Sequence, residues 1–298
     1  MTDRASTLVR PMLPADVPAS ERISDESYYG VDVAHGLPGV LVPARRSEAG
    51  SASWRRRTAH LLGTDPGGCW VAETDGEVVG FAVSFRRELM WLLASFAVRP
   101  DLQGAGIGAA LLDAAKEYGA GCLRGMLAAS ADPAAVRRYR LAGFTLHPQM
   151  LLHGTVDRAA LPALPHVREG TERDLDLMDS VDRHSRGAAH GPDHPVLASL
   201  FRLVVVDRPS ASGYAYLGEG STPVLLAATD RRTASSLLWE ALASAPGDRP
   251  VTVPHITAAN EWALDVGLAA RLSVHQLGYL CLRRMRPPAP YLHHGSLL

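Results

Sequence analysis

An α/β fold with a mixed sheet, built as two related domains, is predicted by three features of this sequence. The 298 residues are about twice the roughly 150 residues of an average domain. Short apolar runs alternate with amphipathic patterns, which is typical of strands and helices packed in layers. A strand–turn–helix pattern containing Arg10 and Asp16 recurs 158 residues later with Arg168 and Asp174. The predicted domains are residues 1–156 and 157–298.

The composition excludes several classes of protein. Hydrophobic residues make up 47% of the chain and charged residues 20%, which is typical of a globular protein. The net charge of −1 argues against a dedicated nucleic-acid-binding protein, whose surface is usually strongly basic. No apolar run approaches the length of a membrane span, and the first ten residues lack an apolar signal segment. The three cysteines are too few for a disulfide framework, so we expect a cytoplasmic location.

The first half of the chain is predicted to form a strand, two helices, a hairpin and a buried strand. A helical pattern follows the turn at Pro14, and Asp75-Gly76 is a strong hairpin turn. The run Leu89–Val98 is apolar almost throughout, which predicts a strand buried on both faces. The predicted elements are strands at 7–11, 69–74, 78–85 and 89–98 and helices at 14–29 and 54–62.

A glycine-rich loop, Gln103–Gly108, follows the buried strand and precedes an amphipathic helix. Glycines let main-chain N–H groups approach a ligand closely, and the helix N-terminus carries a partial positive charge. The loop therefore predicts a cradle for a phosphate or pyrophosphate, although a tight turn before a helix would need the same glycines. Its spacing is not the G-x-G-x-x-G of a dinucleotide-binding turn, and it lacks the Gly-Lys-Ser/Thr of a P-loop.

This loop resembles the coenzyme A motif of the GCN5-related N-acetyltransferase (GNAT) superfamily, whose core pattern is Q/R-x-x-G-x-G/A. Gln103, Gly106 and Gly108 occupy the core positions. A second family motif, N-x-x-A-x-x-L-Y followed by Gly-Phe, is also similar to a segment of this chain, with Asp in place of Asn and Arg in place of Leu. The matching segment contains Asp132, Ala135, Arg138, Tyr139, Gly143 and Phe144.

The resemblance implies acetyl-CoA as cosubstrate, bound where the strand ending at Val98 separates from the next strand near 123–127. The pantetheine arm would pair with residues 96–98, and the pyrophosphate would contact the N–H groups of 104–109. Val98 would polarise the thioester carbonyl through its main-chain N–H, and Tyr139 would act as general acid. No metal is implied. The implied cofactor-binding residues are Phe96, Ala97, Val98, Gln103, Gly104, Ala105, Gly106, Ile107, Gly108 and Ala109.

The sequence leaves the general base open. Some family members carry a carboxylate six residues before the Val98 position, but Leu92 stands there. Glu88, Glu26, a chain of water molecules and the C-terminal carboxylate of Leu298 are the alternatives.

The acceptor is expected to be a small-molecule or peptide amine. It would be bound in part by the segment 24–35, and the protein would be a monomer or a homodimer, with no nucleic-acid or membrane partner. The candidate acceptor-binding residues are Tyr28, Tyr29 and His35.

The second half resembles a degenerate copy of the same domain, which we predict binds no coenzyme A. An offset of 126 residues places Asp230 under Gly104, so a carboxylate would face the pyrophosphate position. Asp230 is instead a good helix N-cap. Gly267 falls where the tyrosine of the second motif belongs.

Three histidines of the second half are interpreted as loop residues and not as metal ligands. His190 and His194 lie on either side of Gly191-Pro192, which breaks a shared helical face, and His184 lies further upstream.

Together these expectations predict an N-acetyltransferase that moves an acetyl group from acetyl-CoA to an amine. Direct attack in a ternary complex is expected, because no well-placed nucleophile stands out. One alternative is an acetyl-CoA sensor or scaffold without turnover. Another is a nucleotide-binding α/β module, which ATP or NAD would stabilise and coenzyme A would not.

Overall fold

The computed structural model describes residues 7–163 and 166–298, and the chain folds as two compact units. The first unit ends at Gly143 and the second begins at Phe144, whereas the sequence predicted a boundary after residue 156. The reason is the strand Thr145–Gly154, which pairs with two strands of the second unit. The last two residues of the predicted linker 158–165 lie outside the described residues.

The first unit contains five neighbouring strands of one sheet, in the order β1-β2-β3-β4-β5. The pairs from β1 to β4 are antiparallel, and β4 pairs with β5 in parallel. The strands are β1 (Leu8–Pro11), β2 (Cys69–Thr74), β3 (Glu77–Arg87), β4 (Met90–Val98) and β5 (Arg124–Ala129). Residues 90–95 of β4 are all buried, as the sequence predicted for this strand.

Helices lie on both faces of this sheet. A side chain at Gly80 would meet Leu111, whereas the adjacent Phe81 packs edge-on against Trp54. Successive strand residues point to opposite faces, so α2 and α3 lie on opposite sides of β3. The helices are α1 (Val17–His35), α2 (Glu48–Thr64), α3 (Ile107–Tyr118) and α4 (Pro133–Leu141). The first helix thus begins three residues later and ends six residues later than predicted.

The second unit contains two groups of strands. One has the order β12-β6-β11, and the other is a sheet in the order β13-β10-β9-β8-β7. The strands are β6 (Thr145–Gly154), β7 (Arg168–Glu169), β8 (Arg202–Arg208), β9 (Ala211–Leu217), β10 (Pro223–Ala228), β11 (Val251–Thr257), β12 (Ser273–Arg283) and β13 (Tyr291–Leu292). The helices are α5 (Leu175–Ser185), α6 (Asp193–Leu200), α7 (Arg231–Ser244) and α8 (Glu261–Ala269).

The sequence repeat corresponds to an Arg–Asp ion pair that forms once in each half of the chain. The Arg10 guanidinium donates two hydrogen bonds to Asp16, at 2.7 and 3.0 Å, and Arg168 does the same to Asp174, at 3.0 and 2.6 Å. Both carboxylates also accept a main-chain N–H three residues earlier, at 2.7 and 2.8 Å. Each half of the chain therefore contains the same charge-assisted link between a short strand and the start of the helix that follows it.

None of the helices in the described residues is both long and apolar enough to cross a bilayer. The three cysteines are buried, and none of them forms a disulfide bond. Burial raises the pKa of the Cys69 and Cys281 thiols to about 12, so neither is a thiolate near neutral pH.

Candidate active site

A cleft opens in the first unit where β4 separates from β5. Leu93 is the last β4 residue in register with β5, opposite Leu127. At the same point β4 has a bulge, because Ser95 and Leu93 pair with consecutive residues of β3 and Ala94 is left over. A bulge bends and twists its strand, which accounts for the separation. The resulting cleft holds about 860 Å³, including its open mouth.

The cleft brings together most of the residues that the sequence singled out. Seven of the ten predicted cofactor-binding residues line it, and so do Tyr139 and Tyr28. Ala105, Ile107 and Ala109 are not in its lining, and the Ile107 side chain is buried beneath the loop. The seven lining residues are Phe96, Ala97, Val98, Gln103, Gly104, Gly106 and Gly108.

The glycines of the loop serve two different physical purposes. Gly104 and Gly106 have φ values of +83° and +91°, a region that favours glycine, and an added Cβ would meet nothing within 4 Å. Gly106 is also the residue preceding the first turn of α3, and both glycines are exposed. Gly108 is different, because a Cβ there would lie 3.2 Å from the Phe96 ring. Its role is to let α3 pack closely against β4.

The Gln103 side chain links the glycine-rich loop to the end of β4. Its side-chain amide donates to the carbonyl oxygen of Val98 at 3.0 Å, and the Ser27 hydroxyl reaches the same oxygen at 3.3 Å. The sequence marked Gln103 as a cofactor-binding residue and did not identify Ser27. The structure shows that both side chains position the strand end, where they line the cleft.

Tyr139 lies on α4 and lines the cleft. Its side chain is buried, and its ring packs edge-on against Phe96 with centroids 6.5 Å apart. The N-cap of α4 is Asp132, whose carboxylate accepts the Ala134 N–H at 3.0 Å, as predicted. Arg138, the departure from the family motif, also lines the cleft. The position of Tyr139 follows from the start of α4, which the cap specifies.

The three candidate acceptor residues on α1 have different positions. Tyr28 lines the cleft. Although 39% of the Tyr28 surface is exposed, desolvation of its hydroxyl raises the pKa of that group, and hydrogen bonds from Ser95 and the Phe96 main chain oppose the shift. Tyr29 instead stacks against the Arg45 guanidinium, 4.9 Å from its ring centroid, and His35 is exposed at the end of the helix. Neither Tyr29 nor His35 belongs to the cleft lining.

None of the predicted general-base candidates lines the cleft. Leu92 is fully buried in β4 and has no acid–base function. Glu26 is exposed on α1. Glu88 lies in the turn before β4, roughly 30 Å along the strand from Val98. The Leu298 main-chain oxygen accepts a hydrogen bond from the Arg186 guanidinium, and Leu298 is fully buried.

The second unit lacks the phosphate loop. Between β4 and α3 the first unit has eight residues, 99–106, whereas only residues 229–230 connect β10 to α7. The alignment of the two halves with an offset of 126 residues is therefore wrong in this region. The second unit has a shorter loop, and not a loop of equal length in which other residues replace the glycines. Asp230 caps α7 by accepting the Thr233 N–H at 2.9 Å, as predicted.

The edge of β10 that does not pair with β9 is covered by a later segment of the same chain. Strand β13 pairs with it in antiparallel register, with Leu292 opposite Leu226, and also contacts β11. The Asn260 side chain holds this segment by donating to the Pro288 carbonyl and accepting the Tyr291 N–H, both at 2.9 Å. At the tyrosine position of the motif, a side chain on Gly267 would collide with Leu152.

The comparisons with known proteins agree with this arrangement. Residues 40–144 match the model of the acetyltransferase (GNAT) family. A mycothiol acetyltransferase of Streptomyces coelicolor is 36% identical over 96 residues, which cover 30% of this chain and 31% of the relative. An uncharacterized N-acetyltransferase of Archaeoglobus fulgidus is 40% identical over 104 residues, which cover 33% and 63%. The match thus spans less than two thirds of either relative.

Solved structures show the same fold over the whole chain. A putative acetyltransferase from Pyrococcus horikoshii has a TM-score of 0.73 at 17% identity, covering 100% of this chain and 96% of that one. A GCN5-related N-acetyltransferase from Kribbella flavida has a TM-score of 0.60 at 17% identity, covering 93% and 72%.

Proposed function

We propose that this chain, whose residues 40–144 match the model of the acetyltransferase (GNAT) family, is an N-acetyltransferase that uses acetyl-CoA and an amine acceptor. The observation that carries the proposal is the exposed loop with left-handed Gly104 and Gly106 at the N-terminus of α3. Its main-chain N–H groups suit a pyrophosphate, and the adjoining end of β4 offers main-chain groups to the amides of a pantetheine arm. The cofactor fits this cleft because no side chain projects from either glycine.

The proposed reaction is direct transfer between the two bound substrates. Acetyl-CoA supplies an activated thioester. The neutral amine attacks the thioester carbonyl carbon, the carbon–sulfur bond breaks, and the proton lost by the amine passes to water. The Val98 N–H stabilises negative charge on the carbonyl oxygen, and Tyr139 donates a proton to the departing thiolate and then regains one from water. No base is assigned to a side chain, and water at the open mouth serves that role.

The acceptor side of the cleft is formed by α1. Ser27, Tyr28 and Val31 line it, and none of the three carries a charge at neutral pH. An uncharged wall favours the neutral form of an amine, which is the form that attacks. We therefore assign Tyr28 to acceptor binding and leave Tyr29 and His35 out of the site.

Thermal unfolding with added ligands tests the donor site. A ligand present at about 100 times its dissociation constant stabilises the folded protein by roughly 2.7 kcal/mol. Acetyl-CoA and CoA are expected to raise the melting temperature, and ATP and NAD are not. The variant Gly106→Glu should lose the effect, because its carboxylate repels the pyrophosphate. Gly121→Glu is the matched control, since Gly121 is exposed beyond the other end of α3.

Turnover separates the enzyme from the alternatives. Amine-dependent release of CoA thiol, screened over small-molecule and peptide amines, supports the proposal. Stabilisation by acetyl-CoA without release from any amine would favour a sensor or scaffold. Stabilisation by ATP or NAD alone would favour a nucleotide-binding module and overturn the proposal.

A further inference from the structure

Two histidines and an aspartate meet in the interior of the second unit. Asp182 lies on α5, His190 in the segment after it, and His194 in the first turn of α6. All three residues have no exposed surface. One oxygen of Asp182 and one ring nitrogen from each histidine lie within 4.8 Å of one another. The sequence interpretation treated both histidines as loop residues, because Gly191-Pro192 separates them along the chain.

Hydrogen bonds hold Asp182 and His190 in place. The Asp182 carboxylate accepts the His190 N–H at 3.1 Å and lies 2.7 Å from His190 Nδ1. Its other oxygen accepts the Tyr214 hydroxyl. The His190 Nδ1 atom therefore faces the same Asp182 oxygen that His194 Nε2 faces, so Nδ1 is the ring nitrogen that a shared ion would contact. The His190 Nε2 atom is buried and has no hydrogen-bond partner.

One ring nitrogen of His194 contacts a tyrosine hydroxyl, and the other ring nitrogen lies near two carboxylates. Its Nδ1 atom lies 3.3 Å from the Tyr216 hydroxyl. Its Nε2 atom lies 3.3 Å from both Asp179 Oδ1 and Asp182 Oδ2. Neither contact has hydrogen-bond geometry, so this buried nitrogen also has no hydrogen-bond partner. Leaving polar atoms unpaired in the interior is unfavourable, which calls for an occupant that the protein atoms do not supply.

The spacing of these atoms matches a metal-ion site. Zinc bonds to histidine nitrogen and carboxylate oxygen are about 2.0–2.2 Å long, so tetrahedral ligand atoms are separated by about 3.3–3.5 Å. The two separations of 3.3 Å from His194 Nε2 agree with that value. A donor set of imidazole and carboxylate is typical of divalent first-row transition metals. The Tyr214 hydroxyl contacts Asp182 and the Tyr216 hydroxyl contacts His194, as hydrogen-bonding partners of the ligands do in metal sites.

We propose that Asp182, His190 and His194, with Asp179 at the edge, bind a divalent transition-metal ion of the Zn²⁺ class. The site is closed, because its three central residues are fully buried, so the ion is structural and does not activate water. It joins α5 to α6. One turn beyond Asp182, Arg186 bonds the main-chain oxygen of Leu298, so the ion also stabilises the end of the chain.

Metal content and stability of the full-length protein test the site. Protein purified without chelator is expected to contain about one equivalent of metal by elemental mass spectrometry. Dialysis against chelator should lower the melting temperature, and added Zn²⁺ or Co²⁺ should restore it. Bound Co²⁺ should show the visible absorption of a nitrogen–oxygen site. These measurements use the unaltered chain, so they remain decisive if a variant fails to fold.

Variants then assign the ligands. His194→Gln and Asp182→Asn are expected to abolish binding of about one equivalent of Co²⁺. His184→Gln should retain it, because His184 is exposed on the same helix. The proposal is overturned if the unaltered protein contains no metal and its melting temperature responds to neither chelator nor Zn²⁺ or Co²⁺. The cluster would then be a hydrogen-bonded network only. Equal Co²⁺ binding by all four proteins would also overturn it.

Discussion

Replacing Gly106 by alanine is expected to destabilise the first unit, whereas the same replacement at Gly30 is expected to stabilise it. An added Cβ meets nothing within 4 Å at either position, so neither effect comes from a steric clash. The two sites differ in backbone conformation. Gly106 has a φ of +91° before the first turn of α3, and Gly30 is inside the helix α1.

The magnitudes follow from that difference. A non-glycine residue in the left-handed region costs roughly 1–2 kcal/mol. Reduced freedom of the unfolded chain offsets this by about 0.4–1 kcal/mol, so Gly106→Ala should lower the unfolding free energy by about 1 kcal/mol. In a helix interior, alanine is more favourable than glycine by roughly 0.5–1 kcal/mol, so Gly30→Ala should raise it. The two variants should therefore differ by about 1.5–2 kcal/mol.

Hydrogen exchange measured against urea concentration separates the two units of the chain. Peptides from α3 report on the first unit, with and without acetyl-CoA. Gly106→Ala should also show less stabilisation by acetyl-CoA, because the strain at this φ favours loop conformations whose main-chain N–H groups point away from the pyrophosphate. Equal stability of the two variants would refute the backbone reasoning. A destabilised Gly106→Ala that keeps the full acetyl-CoA effect would show that this loop is not the phosphate cradle.

Three further perturbations test the site and the first unit. Gln103→Ala removes the hydrogen bond to the Val98 carbonyl and should weaken acetyl-CoA binding by about 1 kcal/mol, which steady-state kinetics detect as a roughly fivefold higher KM. Tyr139→Phe should lower kcat by about 10²-fold, at the low end of general-acid effects, because a thiol of pKa near 8.5 leaves readily. Arg10→Gln tests the Asp16 carboxyl, whose pKa is lowered mainly by the Arg10 hydrogen bond. The resulting stability is present above pH 3.8 and is lost as pH falls through the folded-state pKa, so acid titration of the unfolding free energy should show the two proteins converging.

Different outcomes would contradict each of these predictions. An unchanged KM in Gln103→Ala would mean that Ser27 alone holds the strand end. An unchanged kcat in Tyr139→Phe would remove the tyrosine from proton transfer, while its ring packing on Phe96 keeps the fold as the control. A stability difference between the unaltered protein and Arg10→Gln that stays constant across the acid titration would show that it does not arise from ionisation of Asp16.

Local features of this protein follow from its sequence, because each depends on residues that are close along the chain. The Asp132 cap involves an N–H two residues away, and the loop that begins at Gln103 precedes its helix directly. The ion pair of Arg10 with Asp16 spans six residues and recurs with the same spacing. Turn, cap and helix-start preferences act over such distances, so pattern alone predicted these parts and the family resemblance they carry.

Features that join distant segments were decided only by the tertiary structure. Strand β6 continues the first half in sequence but pairs with β11 and β12, and no local pattern specifies a strand's partner. The same holds for β13 on β10 and for the bulge at Ala94 that opens the cleft. The sequence by itself therefore determined the phosphate loop, its motif residues and the Arg–Asp pair that recurs in each half of the chain. The tertiary structure decided which tyrosine of α1 enters the cleft and that His190 and His194 meet Asp182, because both outcomes depend on how α1, α5 and α6 pack against the strands and not on the sequence pattern alone.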